Sequence, residues 1–451
     1  MPVIIGIRRE DKNEWERRVP LIPADLAALT AGYGLHFMVQ PSPIRVYRDE
    51  AYRAAGITVS EDLGACRLIV AIKEVPTALL MPGRVYAYFA HVAKGQVYNM
   101  PMLGCLLDLG CSLVDYERIS DEHNRRLIFF GRHAGYAGMV ETLRCLGQRL
   151  AEAGLQTPFA RVKHAYEYRD LDSAKGHLSD LGKQILRLGL PRGVRPLVIG
   201  FSGYGNVSRG AQEVLDCLHV REISVPELAI EAGTNSEWGE IFKVVFREED
   251  MVRPVDPAAS FELQDYYKSP ECYHGRFEEH LRYLDVLVNA IYWEERYPRL
   301  VTREWVCRNY VAGSQPRLKV IGDISCDIEG SVELTLKATK PDNPCFVYDP
   351  VSDTIHDGVS GNGPAIMAVD NLPCEFPRES SEYFSAVLRD MVCSLASADW
   401  QADFAHLDLP SHLKKAVIVH KGELTPPFRY LQQHLVPGAR HAGGHQSGLT
   451  G

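Results

Sequence analysis

A chain of 451 residues with 46% hydrophobic side chains is long enough to bury two cores rather than one. Its formal net charge of −9, from 49 Lys and Arg against 58 Asp and Glu, argues against a general nucleic-acid binder, though not against a local basic pocket for an acidic substrate. Eleven scattered cysteines, from Cys66 to Cys393, form no C-x-x-C pair; the expectation is a reduced, cytoplasmic protein with no metal and no disulfide framework.

The opening MPVIIGIRREDK meets charge too early for a signal peptide, and no uncharged stretch approaches the roughly 20 residues that cross a bilayer, so no membrane segment is expected. Residues 3–8 (VIIGIR) predict a strand, followed by a helical PADLAALTAGYG closed by glycines. Further strands are expected at 36–40, 67–73, 86–91 and 111–116, separated by helical or loop segments. That alternation predicts an α/β layer with a largely parallel sheet. Apolar spacing predicts a long helix over 138–155. After the loop LPRGVRP, PLVIGF has the apolar density of a strand buried on both faces. Later strands are expected at 286–293 and 318–325, and the Gly- and His-rich tail from Val436 reads as disordered.

PLVIGF runs into SGYGNVSRGAQEVLDCL, in which Gly203 and Gly205 are the first two glycines of a G-x-G-x-x-G pattern and Ser208 stands at the third. Gly203 permits a tight turn, Gly205 a close backbone approach to a pyrophosphate, and a small residue at 208 lets helix pack on strand. The next helix opens at Asn206 and Val207, whose end offers amides to phosphate. Glycine turns of this kind also occur without a nucleotide; the strand before and the amphipathic helix after favour the nucleotide. REISV reads as the second strand, with Glu222 inside it and Glu227 beyond, neither where an NAD-selecting carboxylate belongs. Arg209 and Arg221 are candidates for a 2′-phosphate or plain surface charges, so the pattern leaves NAD against NADP open.

Three earlier segments gather unusual chemistry. WERRVPLIP places Arg17 and Arg18 ahead of a helix; AIKEVP ends one apolar strand with Lys73 and Glu74; YAYFAHVAKGQ ends another with His91, then Lys94 and Gln96. Ligands of open α/β sheets bind beyond the carboxyl ends of strands, so Lys73 and His91 are expected to face one crevice. A lysine crowded by cations and partly desolvated loses its proton more readily and acts as a base, while histidine exchanges protons near neutrality. Arg18 is expected to clamp a carboxylate through two parallel hydrogen bonds, with Lys94 as a second cation. Taken singly, Lys73 also reads as a snorkelling strand-end lysine and His91 as a loop cap.

In order along the chain, RREDKNEWERRVPL, AIKEVP, YFAHVAKGQ, GRHAGYAGM, GYGNVSRGAQ, VNAIYWEERYPRL, GDISCDIEGS and DNLPCEFPRESSEYFS resemble the lysine-ketoglutarate reductase family, the first half of bifunctional aminoadipic semialdehyde synthase. They are also similar to lysine-forming saccharopine dehydrogenases and, more distantly, to alanine dehydrogenase and transhydrogenase. The resemblance implies a reductive joining of L-lysine to 2-oxoglutarate, giving saccharopine through an imine and a nicotinamide hydride. It implies Lys73 and His91 as the acid–base pair and Arg18, Lys94 and Gln96 as substrate contacts, with Glu74 and Glu117 balancing cations or meeting the lysine α-ammonium. It implies Asp323, Asp327 and Asn289 near the nicotinamide, and a hinge at His133 and Tyr136. The stretch 229–285 resembles an insert of the reductase branch, which points to NADPH/NADP, with NAD as the alternative. A separate saccharopine-oxidising enzyme is then expected to act next. Surface helices are compatible with a homodimer but specify no interface.

The expected architecture is two Rossmann-like α/β domains with parallel sheets flanking a central cleft. Residues 1–135 with about 370–435 form the substrate domain and residues 136–369 the dinucleotide domain. An NAD-dependent lysine-forming enzyme and a non-catalytic dinucleotide or amino-acid sensor are the rival readings.

Overall fold

A computed structural model describes residues 3–234, 240–310 and 316–435; the tail expected to be disordered from Val436 lies outside the described residues. The chain divides into two compact units, Met1–Phe129 with Pro377–Gly451, and Phe130–Phe376.

In the first unit the apolar runs form strands β1 (Ile4–Ile7), β2 (His36–Val39), β3 (Thr58–Val59), β4 (Leu68–Val70), β5 (Val85–Tyr88) and β6 (Ser112–Asp115). Two strands from the C-terminal part, β17 (Val417–His420) and β18 (Glu423–Leu424), complete a sheet of order β18-β17-β6-β5-β4-β1-β2-β3. β4, β5 and β6 are buried along their whole length, as strands covered on both faces must be. The pairs from β6 to β3 are all parallel, whereas β17 runs antiparallel to β6. The expected parallel sheet is thus mixed at one edge. Helix Pro377–Ser397 ties the C-terminal part to the N-terminal layer: the Val19 and Ile22 amides donate to Ser381 Oγ (2.9 Å) and Ser385 Oγ (3.0 Å).

The second unit is built on β7 (Leu197–Ser202), β8 (Arg221–Glu222), β9 (Ile241–Phe246), β12 (Val286–Asn289), β13 (Val320–Asp323), β14 (Cys345–Asp349), β15 (Thr354–Asp357) and β16 (Ala365–Met367). Their order is β15-β14-β16-β13-β12-β7-β9-β8, parallel except for β14, which runs antiparallel to both β16 and β15. A small antiparallel pair, β10 (Val252–Pro254) and β11 (Tyr273–Gly275), stands apart from this sheet. Two expectations need correction. REISV supplies only a two-residue edge strand, and the strand beside β7 is β9, from the run IFKVVF. β9 lies within 229–285, so that stretch is not one insert: its first part belongs to the central sheet.

The long helix expected over 138–155 spans Gly131–Glu152 and so absorbs GRHAGYA. Gly135 explains why a poor helix former is kept there. A Cβ on it would lie 2.1 Å from the Val207 carbonyl oxygen, and one on Gly210 would lie 2.2 Å from that of Arg132. This helix and Asn206–Leu215 therefore touch backbone to backbone, which only glycine allows. Among the described residues no helix is long and apolar enough to cross a membrane.

Beneath the second sheet, Glu141 and Glu375 are both buried. Glu141 accepts the Ala165 amide (2.7 Å) and faces His164 Nδ1 at 3.2 Å. Burial, and then Glu141, push the Glu375 carboxyl well above the usual range, so the fold favours its protonated form. Stability from that form is complete below the ordinary carboxylate pKa and is lost as pH rises through the raised value. Glu375→Gln, neutral at every pH, is expected to match the parent near pH 5 and to melt at higher temperature near pH 9, by about 2–4 °C per kcal/mol gained. A melting difference that stays flat across that range would show that Glu375 is not held protonated in the fold.

Candidate active site

The carboxyl ends of four neighbouring parallel strands, β6, β5, β4 and β1, bring the basic and acidic residues of the first unit into one row. Past β4 and β5 the two chains continue side by side, with the Phe89 amide donating to the Ile72 carbonyl (2.9 Å). Lys73 follows one residue later and His91 two residues later. His91 has φ of +50°, a left-handed backbone that a non-glycine residue adopts only when its surroundings hold it. Asn99 supplies that hold, its Nδ2 donating to the carbonyls of Ala90 (2.9 Å) and His91 (3.3 Å). On the β6 side Asp115 Oδ1 accepts the amides of both Ala90 (3.2 Å) and Glu117 (2.9 Å), binding the two strand ends together. Glu117 Oε2 then lies 3.4 Å from His91 Nδ1, and the histidine keeps the Glu117 carboxyl below the usual carboxylate range.

Lys73 is half-buried, and among the described residues no hydrogen bond or ion pair holds its amine. Burial first, then Arg18 and Lys12, lower its pKa, while Glu16 works in the opposite direction. Its backbone is fixed by Glu10, which accepts the amides of Ile72 (2.6 Å) and Lys73 (3.0 Å). Burial, then the nearby Glu16, raise the Glu10 carboxyl to about 7. Glu10 escaped the sequence reading because an acid in the charged run RREDK looks like a solvated loop residue. The available signal was its place three residues beyond an apolar strand.

Other expected contacts are engaged differently. Arg18 is buried, and its Nε and Nη2 donate to Glu16 at 2.6 and 2.5 Å, so the fork expected to clamp a substrate carboxylate already holds a carboxylate of the chain. Arg17 donates to the Ile44 carbonyl (3.3 Å), and Glu74 pairs with Lys12 at 2.5 Å. Lys94 is exposed, while Gln96 Oε1 folds back to accept the Lys94 amide (3.2 Å).

In the second unit β7 ends in the glycine turn. Gly203 has φ of +87° and packs so close to the loop after β12 that a Cβ would meet Ile291 Cγ2 at 2.9 Å. Gly205 caps helix Asn206–Leu215 and faces open space, which leaves room for phosphate oxygens at the amides of Asn206 and Val207. Ser208 is fully buried, as a third-glycine substitute must be. The connections leave β7 toward β9 on one side and β12 on the other, and ligands bind at such a switch point. A cavity of about 460 Å³ opens there, reaching from Gly203 and Gly205 to Glu248 and Ala290. These features fit a dinucleotide.

Residues 6–137 match the alanine dehydrogenase/PNT N-terminal domain, and residues 250–427 the alanine dehydrogenase/PNT C-terminal domain. The chain belongs to the alanine dehydrogenase/PNT family. Alpha-aminoadipic semialdehyde synthase of Arabidopsis thaliana is 39% identical to it over 95% of this chain and 41% of that protein. The mitochondrial protein of that name from Bos taurus is 34% identical over 95% of this chain and 48% of its own length. The chain thus spans just under half the length of these relatives. The NAD(+)-linked, L-lysine-forming saccharopine dehydrogenase of Neurospora crassa is 28% identical over 89% of this chain and 92% of that one. The resemblance to the lysine-ketoglutarate reductase family carried by the ordered motifs is borne out by these matches. Among solved structures, an L-alanine dehydrogenase superposes with a TM-score of 0.60 at 18% identity, covering 96% of this chain and all of that one. The α/β class expected from the alternating strands and helices agrees with that likeness.

Within this family fold, the polar residues that end β12 and β13 are internal. Asn289 and Asp323 are buried: Asn289 Nδ2 donates to Asp323 Oδ1 and to Ser331 Oγ, both at 2.8 Å, and Ser202 Oγ donates to Asn289 Oδ1 at 2.9 Å. Burial raises the Asp323 carboxyl to about 6. These side chains lock three strand ends beneath the switch point rather than projecting from it. The Asp327 carbonyl closes a turn onto the Gly330 amide (3.0 Å). His133 is buried edge-on against Tyr136, whose hydroxyl donates to Glu213 (3.2 Å).

Three of the four candidates for reading the cofactor's 2′ position are likewise occupied. Lys243 pairs with Glu222 (3.0 Å), Glu227 caps Ser224, and Arg221 pairs with Glu231 (2.8 Å). Arg209 is exposed on helix Asn206–Leu215. The strand end beside the glycine turn belongs instead to β9 and carries Arg247, exposed, with its guanidinium 4.9 Å from the Tyr204 ring centre.

Proposed function

We propose that the chain is a lysine–2-oxoglutarate reductase, acting on L-lysine, 2-oxoglutarate and saccharopine. The observation that carries this reading is Lys73, a half-buried, cation-crowded amine at the end of β4, beside the Glu117-held His91 at the end of β5. In its neutral form Lys73 takes a proton from the ε-ammonium of the substrate lysine, and the freed amine attacks the ketone carbon of 2-oxoglutarate. The Lys73–His91 pair then returns a proton to the carbinolamine hydroxyl, which leaves as water and gives the imine. A bound reduced nicotinamide supplies the hydride that reduces the imine carbon. Lys94 and Gln96, beyond β5, meet substrate carboxylates, and Glu117 keeps the His91 ring oriented. Arg18 acts through its charge on Lys73, since Glu16 holds its fork. Glu74, paired with Lys12, balances the local positive charge.

We further propose NADPH as the reductant. In a Rossmann unit a carboxylate at the end of the strand beside the glycine turn selects NAD, whereas an arginine there accommodates a 2′-phosphate. Here that position is Arg247. The alternative is an NAD-linked enzyme like the Neurospora relative. Oxidation of NADPH is expected only when lysine and 2-oxoglutarate are supplied together, with saccharopine appearing in equal amount by mass spectrometry. Oxidation indifferent to either substrate would end this reading. Faster turnover with NADH, or faster lysine formation from saccharopine with NAD+ than with NADP+, would favour the alternative.

A further inference from the structure

Residues between β9 and β12 make up an aromatic segment that the proposed reaction leaves without a role. It is firmly built. Tyr266 is buried, with its ring 5.3 Å from Tyr273 and 5.4 Å from Tyr297, and Phe277 packs 4.9 Å from Phe246 of β9. The Tyr273 hydroxyl donates to Asp265 (3.1 Å), and β10 pairs with β11 at the base. Tyr267, the next residue, is exposed, with its ring 5.9 Å from that of Tyr266. Its hydroxyl donates to Glu248 Oε1 at 2.5 Å, while the Tyr204 hydroxyl donates to Glu248 Oε2 at 3.2 Å. One carboxylate thus fastens the segment to the glycine turn.

The cavity at the switch point lies against this fastening. Six aromatic side chains line it, Tyr204, Tyr266, Tyr267, Tyr292, Trp293 and Tyr297, and the backbone of Gly203 and Gly205 forms part of its wall. About 460 Å³ falls within the range of small-molecule sites. A flat, weakly polar ring system is the ligand that such walls favour, since purine bases stack on aromatic faces for about 1–3 kcal/mol each. The ring must also carry a phosphate able to reach the glycine turn.

We infer that the segment Val252–Gly275 forms the adenine-side wall of the dinucleotide seat, and that Glu248 latches it to the glycine turn through Tyr267 and Tyr204. This rests on the dinucleotide reading given above. It assigns the segment to cofactor binding rather than to a protein partner, with an adenine nucleotide as the ligand class. Tyr267 and Tyr204 then depend on the same carboxylate. Removing either hydroxyl opens the latch, and removing the second adds little.

The test is the binding of NADPH, adenosine 5′-monophosphate and nicotinamide mononucleotide to the full chain, the two fragments measured as competitors of NADPH fluorescence. Tyr267→Ala is expected to weaken the adenine fragment and NADPH about 5- to 150-fold, the equivalent of one stacking contact, and to leave the nicotinamide fragment within about twofold. Tyr267→Phe and Tyr204→Phe should each give a smaller loss, with the double variant no weaker than the worse single one. Tyr292→Ala, at a position 74% exposed across the same cavity, reports on adenine stacking there should Tyr267→Ala not fold. Unchanged adenine affinity in the wall variants, or equal loss for both fragments, overturns the inference and leaves the dinucleotide reading standing. Failure of the parent chain to bind NADPH or either fragment removes the dinucleotide reading, and the inference with it.

Discussion

Lys73→Met is expected to lower turnover with lysine, 2-oxoglutarate and NADPH by about 10²- to 10⁴-fold, the range for loss of a general acid–base group, while NADPH affinity stays within about twofold. The separation follows from the fold, because Lys73 stands at the end of β4 in the first unit and the glycine turn at the end of β7 in the second. The same substitution should stabilise the chain. Burial, Arg18 and Lys12 all disfavour the protonated amine. Over the interval between the lowered native pKa and the ordinary lysine value, the unfolded chain binds the extra proton, so the parent gains stability as pH rises. Methionine carries no such penalty, and its advantage in melting temperature should shrink as the solution becomes alkaline. In the joining direction the parent rate should rise with pH through the Lys73 titration, and that limb should vanish from the residual rate of the variant. A variant with near-parent turnover, or one less stable than the parent at neutral pH, would take Lys73 out of its role.

How far the sequence was legible depended on whether a feature is local. β4, β5 and β7 announce themselves as short apolar runs, and strand-end placement alone brings Lys73 and His91 to adjacent positions. The turn around Gly203 and Gly205 is local as well, and its geometry follows from the residue types. What stayed hidden depends on pairing between distant segments. β9 was absorbed into an expected insert because nothing local says that IFKVVF, rather than REISV, lies beside β7; the sheet order decides that. Arg247 was overlooked for the same reason. Glu10 and Glu16 look like solvated charges in RREDKNEWERR, and only burial against neighbouring strands turns them into internal acceptors. Asn289 and Asp323 are legible as polar strand ends, but the closure of Ser202, Ser331 and Thr335 around their side chains again depends on distant segments.

Glu16 offers the sharpest separation of stability from chemistry. Its carboxylate and the Arg18 guanidinium have side-chain exposures of 0% and 2%, and they meet through two hydrogen bonds. Removing one partner of a buried pair strands the other charge away from water, which costs about 3–5 kcal/mol, whereas replacing both with apolar groups of similar size is often close to neutral. Glu16→Ala is therefore expected to lower unfolding stability by that amount in denaturant titrations, and Glu16→Met with Arg18→Met to recover most of it. Activity should not follow stability. Glu16 raises the Lys73 pKa and Arg18 lowers it, so loss of Glu16 alone moves the acidic limb of the rate profile to lower pH. The double variant removes both influences and, having also lost a depressing cation, should move that limb back toward higher pH. A Glu16→Ala variant within about 1 kcal/mol of the parent would show that the pair is not a buried charge couple. A rate profile unmoved in either variant would show that it does not set the protonation of Lys73.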